Sequence, residues 1–176
     1  KAIEYIVAVH IPIAGLALLP LLFGLPLMLT PIHIAFLEMI IDPACSMVFE
    51  AEGEEADVMR RPPRDPKSPL LLPRRIVWAL LQGVIALTAL AGVLISAWRM
   101  GMPEADLRAL IFTSLVFINM GFILVNRSGE AARVRASRRP NRALWVLVVG
   151  VAALLGIALF WPPARELFHF GRLHWD

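Results

Sequence analysis

Five stretches of mostly apolar residues, 6–24, 31–49, 76–98, 107–125 and 144–161, dominate this chain. Each is close to the roughly 20 residues that a helix needs to cross a hydrocarbon layer of about 30 Å. Inside lipid every backbone N–H and C=O must be satisfied within the protein, which leaves helices or closed strand barrels. Barrel strands alternate apolar and polar residues, and none of the five stretches does. The expected fold is therefore all-α, a polytopic transmembrane bundle of about five spans. Composition agrees: 59% of the residues are apolar, against about 45–50% in soluble domains. The first stretch is no signal peptide, because Pro12 and Pro20 interrupt it and no small-residue cleavage site follows. A single cysteine, Cys45, excludes an internal disulfide.

The net charge is only +3, but its distribution carries a topology signal. The link of residues 50–75 and the link of residues 127–142 hold six basic side chains each, twelve of the 17 in the chain. The link GLPLMLTP between the first two stretches holds none. Lys and Arg accumulate on the cytoplasmic side of membrane proteins, so both basic links are expected inside, with the N-terminus inside and the C-terminal HFGRLHWD outside. Basic residues flanking spans are this ordinary signal, and no nucleic-acid partner is expected. The segment PPRDPKSP cannot continue a helix and reads as an extended connector. An odd number of spans and a first residue, Lys1, that is not methionine make the chain read as a fragment.

The second stretch contains FLEMIIDPACS, with Glu38 and Asp42 in otherwise apolar surroundings. A charge near the bilayer centre costs about 2.5–3.5 kcal/mol on insertion scales, so two on one span require a partner or a role. Spaced i and i+4, they share one helix face about 6 Å apart, and two carboxylates so placed repel unless one is protonated or a cation lies between them. Pro43 cannot donate its amide and crowds the Met39 carbonyl, so the helix is expected to loosen around Asp42 and free carbonyl oxygens there. Interrupted helices at the midplane build cation sites in transporters. The bland alternative is a carboxylate pair hydrogen-bonded inside the bundle. His10, just before Pro12, and Asn119, inside the fourth stretch, are the other candidate ligands. For His10 the competing reading is an imidazole bonded to a neighbouring carbonyl, and for Asn119 an interhelical hydrogen bond. Cys45 is read as packing, His169 and His174 as solvated, and Asn126-Arg127-Ser128 as an unmodified match to a glycosylation acceptor.

The run GLPLMLTPIHIAFLEMIIDPACSMVFEAEGEEADVMRRPPRDPKSPLL resembles the sixth transmembrane helix and following loop of calcium-type P-type ATPases. The shared pattern is a GLP turn, a proline opening the helix, an N-x-x-[TS]-D core and an M-x-R-P-P-R-x-P-K-x-P-L loop. The likeness extends back to Tyr5 and more loosely forward through Asn126-Arg127-Ser128 to Asn141-Arg142. It implies that the five spans are similar to helices five to nine of a ten-helix P-type ATPase membrane domain. It also implies that Asp42 coordinates the transported ion. Glu38 stands where that family usually has asparagine, Ile41 where it has threonine or serine, His10 at a ligand asparagine, and Ile13 and Asn119 at ligand glutamates. The D-K-T-G phosphorylation loop, the nucleotide-binding domain and the fourth-helix motif have no counterpart in this chain.

What the resemblance implies is the C-terminal membrane portion of an ATP-driven cation pump in the plasma membrane. Its ion site would draw on Glu38, Asp42, Asn119 and His10. The cargo would be calcium or another cation, with Mg and ATP bound only in cytoplasmic domains outside this chain. The implied partners are the lipid bilayer and the rest of the same pump, its first four helices and cytoplasmic domains. Because Ile13 and Ile41 cannot coordinate an ion, one cation per cycle is expected, held by Glu38 and Asp42, with His10 tuning proton return. The competing readings are a secondary transporter or proton-coupled membrane subunit using Glu38 and Asp42 as a proton relay, and a membrane scaffold that leaves the carboxylates unexplained.

Overall fold

The computed structural model describes residues 1–51, 73–127 and 141–171, and all regular structure among them is helical. The elements are α1 (Ala2–Phe23), α2 (Pro31–Pro43), a π-helical turn continuing it (Ala44–Val48), α3 (Pro73–Arg99), α4 (Glu104–Arg127), α5 (Arg142–Phe160) and the short α6 (Pro162–Leu167). Five of these helices, counting α2 with its π turn, are long and apolar enough to cross a membrane. The helices outrun some of the apolar stretches. Pro73 opens α3, a first-turn position that suits proline, and Glu104 and Asp106 sit in the first turn of α4, where negative charge meets the helix dipole.

Local chemistry fixes the turn between α1 and α2. Gly24 adopts a left-handed conformation, φ 64°, and its N–H and that of Leu25 both return to the Pro20 carbonyl, a helix ending that favours glycine. Thr30 then caps α2, with Pro31 in the first turn. The Thr30 N–H donates to Nδ1 of His33 at 3.1 Å, and the Thr30 hydroxyl lies 2.7 Å from the same nitrogen.

α1 packs against α3 and α4, which also touch each other, while α5 packs against the π turn, α2 and α4. α1 and α3 approach closely. Pro12 has no N–H, so the Ala8 carbonyl lacks its usual helical donor. Gly83 of α3 lies against that group, and a Cβ there would stand 2.8 Å from the Ala8 oxygen and 2.6 Å from Ile11 Cδ1. Two ends of the bundle are knitted separately. At one, Arg75 Nη1 donates to Glu4 Oε1 at 3.2 Å, the Tyr5 ring lies tilted against Phe49 at 5.4 Å and Asn126 donates to Gln82 at 3.0 Å. At the other, Arg108 donates to the carbonyls of Leu27, 3.2 Å away, and His169, 2.9 Å away. There the rings of His33, Phe36, Phe112, Phe168 and Phe170 meet at 4.9–5.9 Å, so Phe168 and Phe170 fold back onto α2 and α4. Lys67, Ser137, His174 and Ser128 of the acceptor motif lie outside the described residues.

Candidate cation site

Along α2 the side chains divide by helical periodicity. Leu37, Ile40, Ile41 and Ala44 are buried, whereas Ala35, Glu38, Asp42 and Ser46 form a stripe that is exposed or half-buried. The two carboxylates therefore share one face, as their i, i+4 spacing requires, and that face is turned away from this chain's own core. On α1 the exposed stripe runs through Ile6, His10 and Ala14. The two stripes meet where His10 Nε2 approaches Glu38 Oε1 at 3.7 Å.

His10 satisfies one of its two readings and leaves the other open. Its Nδ1 lies 2.8 Å from the Ile6 carbonyl; a carbonyl only accepts, so Nδ1 carries the proton. In the neutral ring Nε2 then presents a lone pair toward Glu38, and protonation there turns the contact into an ion pair.

Directly after Pro43 the helix loosens into a π turn, Ala44–Val48, without freeing the Asp42 carbonyl: the Ala44 N–H points at the carbonyls of both Ile40 and Ile41, and the Phe49 N–H reaches back to Ala44 at 3.2 Å. The wider i to i+5 register thus begins only after the proline, over Ala44–Val48. The Asp42 carbonyl is occupied, accepting from the Ser46 hydroxyl at 2.8 Å. The Asp42 carboxylate makes no hydrogen bond or ion pair among the described residues.

Asn119 behaves otherwise. It lies on the buried face of α4, fully inaccessible. It alone among the described residues has both polar side-chain atoms buried without a hydrogen-bond partner. The interhelical bond that a lone membrane asparagine ordinarily makes is thus not formed among them. Cys45, half-buried and free, packs beside the core. Among the described residues no three His, Cys, Asp or Glu side chains converge on a single metal position. Among the described residues the structure joins Glu38 to His10 and leaves the Asp42 carboxylate and the Asn119 amide without polar partners, one exposed and one interior.

Two polar residues matter structurally that sequence reasoning did not single out. His33 is fully buried among the aromatic rings; the signal for it was Thr30 three positions earlier, a capping pair at a helix start. Asn141, 6% exposed, caps α5 by accepting from the Leu144 N–H at 3.1 Å. An asparagine just before an apolar run is a start signal of that kind.

Comparison with known proteins bears on what this arrangement serves. A calcium-transporting ATPase of Bacillus subtilis (strain 168) is 26% identical over 173 residues, covering 96% of this chain and 19% of that protein. The human calcium-transporting ATPase type 2C member 1 is 26% identical over 167 residues, covering 89% of this chain and 17% of its own length. A protein of Mycobacterium tuberculosis (strain ATCC 25618 / H37Rv) named probable cation-transporting ATPase F is 28% identical over 149 residues, 82% of this chain and 16% of that protein. The chain thus spans less than a fifth of the length of these relatives. The family model described as "Cation transporting ATPase, C-terminus" matches residues 26–176. With that match across most of its length, and five membrane-length helices, the chain is an integral membrane protein of the cation-transporting ATPase C-terminal family.

Proposed function

We propose that this chain is the membrane part of an ATP-driven cation pump and that Glu38 and Asp42 are its principal ion ligands. The observation that carries the reading is the α2 stripe. Two carboxylates one turn apart lie on the face that this chain's own core does not cover, where bare charge in hydrocarbon costs about 2.5–3.5 kcal/mol per group. That face is completed by the first four helices of the same pump, and the bound cation offsets the repulsion between the carboxylates. Phosphorylation, ATP and Mg belong to the cytoplasmic domains that precede these helices. A secondary transporter is not favoured, since the relatives are named as ATPases.

The cargo is a single cation per cycle, with calcium as the first candidate because two relatives carry that ion in their names. Ile13 and Ile41 are buried and offer no ligand atom, so a second divalent site would lack the six to eight oxygens that calcium takes. The Asn119 amide of α4 is a further ligand; because that amide is interior and the α2 stripe is not, its ligation requires α2 and α4 to rotate toward each other. His10, with Nε2 facing Glu38, takes up a proton when the cation leaves and so neutralises the carboxylate it faces. The membrane is the plasma membrane, with the N-terminus cytoplasmic and the C-terminus outside.

Phosphoenzyme formation from ATP by the full-length pump tests this. Asp42→Asn is expected to abolish its calcium dependence while the protein still inserts, because a neutral amide is cheaper in the bilayer. Glu38→Gln is expected to raise the half-saturating calcium concentration and to flatten its pH dependence, since a carboxylate ligand must lose its proton to bind. Wild-type ion dependence in both variants would remove the site from α2.

A further inference from the structure

The π turn that follows Asp42 is tied to a helix far away in sequence. Val48, its last residue, offers a carbonyl at the end of a helix, where backbone acceptors run out of helical donors. Nδ2 of Asn141 donates to that oxygen at 3.1 Å in a buried setting, bridging 93 positions of sequence. The same side chain uses its other end locally: Oδ1 accepts from the Leu144 N–H at 3.1 Å and so caps α5. One buried amide therefore joins the end of the carboxylate-bearing helix to the first turn of α5, and α5 packs along the π turn.

We propose that Asn141 is a positioning residue for the α2 carboxylates, acting through the Val48 carbonyl. A π turn is a strained alternative to α pitch, common at functional sites. Its conversion back to α pitch turns the two ends of the helix relative to each other. With Val48 clamped, that rotation is blocked, and Glu38 stays on the side where His10 meets it. Asp42, one turn on, is held in the same register. The asymmetry of the amide separates this role from capping: only Nδ2 reaches Val48, and only Oδ1 caps α5.

The inference rests on Glu38 and Asp42 being the ion ligands, so the full-length pump is assayed with three variants. Asn141→Asp keeps a capping oxygen and loses the donor to Val48; Asn141→Ala loses both; Asp42→Asn reports on the site itself. Calcium is the probe, and phosphoenzyme level against calcium is the readout, beside thermal inactivation. Asn141→Asp and Asn141→Ala are both expected to raise the half-saturating calcium concentration about fivefold, the effect of losing one hydrogen bond, with the maximal phosphoenzyme level kept. Thermal inactivation is expected to move only in Asn141→Ala, which loses the helix cap. Hydrogen exchange across residues 44–48 gives a reading that does not depend on which cation is carried, and Asn141→Asp is expected to speed it. Wild-type half-saturation, or wild-type exchange, in Asn141→Asp overturns the positioning role while leaving the site intact. Unchanged calcium dependence in Asp42→Asn overturns the site reading first, and the positioning role with it.

Discussion

Asn119 shows how much one side chain can reveal when its surroundings are known. An amide removed from water without partners costs about 1–3 kcal/mol, and here both its nitrogen and its oxygen are in that state among the described residues. Leucine has nearly the same shape and no polar atoms. Asn119→Leu is therefore expected to stabilise the ion-free protein, by about 1 kcal/mol or more, and at the same time to weaken calcium binding. Thermal unfolding in detergent, followed by equilibrium calcium binding on the same sample, checks both halves. A stabilised variant with unchanged affinity would assign Asn119 to packing alone. Glu38 and His10 present the opposite case, two groups that are half-exposed, 48% and 45% for the histidine and glutamate side chains, and whose meaning lies in facing each other across two helices.

The contact of α1 with α3 depends on a proline and a glycine acting together. Pro12 leaves the Ala8 carbonyl without a helical donor, and Gly83 allows α3 to approach that carbonyl closely, the kind of small-residue contact by which helices associate in lipid. A methyl group at Gly83 meets backbone oxygen at 2.8 Å, which cannot rotate away as a flexible side chain does. Gly83→Ala is expected to lower stability by about 1–3 kcal/mol, the cost of overpacking. Gly92, on the same helix, has nothing within 4 Å of the corresponding position, so Gly92→Ala should leave stability unchanged. Thermal unfolding of the two variants side by side decides it, and equal melting would show that α1 and α3 are not held at this distance. α2 behaves differently again. Its proline is followed at once by a π turn, Ala44–Val48, and the Ser46 hydroxyl occupies the Asp42 carbonyl.

The bundle as assembled has two distinct ends. Glu4, Val48, Phe49, Arg75, Gln82 and Asn141 are linked at one, and Leu27, Arg108 and the segment after α6 at the other. The two basic links leave from the first of these ends, the end that our proposal turns toward the cytoplasm because basic residues accumulate on that side. Single cysteines at positions 67 and 137, introduced into the full-length protein without its native cysteines, are expected to resist a membrane-impermeant thiol reagent on intact cells. Cysteines at positions 27 and 103 should react. External labelling at 67 or 137 would invert the topology. The exposed stripe on α1 and α2 is the remaining large-scale feature: the charged face of the bundle is the one this chain does not cover.

The spans, the basic links and the shared face of Glu38 and Asp42 were all legible in the order of residues, because hydropathy, charge and a 3.6-residue period are properties of a segment that no neighbour alters. The family was legible for a similar reason, in the contiguous run through Arg61, Pro62, Pro63 and Arg64. Helix caps at Thr30 and Asn141 carry a signal of the same local kind, since a cap acts within one turn, although sequence reasoning singled out neither as a cap. Other features depend on which helices become neighbours and how each is rotated. That His10 turns Nε2 toward Glu38, that the Asn119 amide is buried and unbonded among the described residues, that Arg108 ties Leu27 to His169 and that Asn141 reaches Val48 are contacts across 28 to 93 positions or orientations set by them. Helix periodicity says which side chains share a face; only packing against α1, α4 and α5 decides what that face meets, because burial and hydrogen bonding are settled by the partner surface and not by the segment that carries the residue.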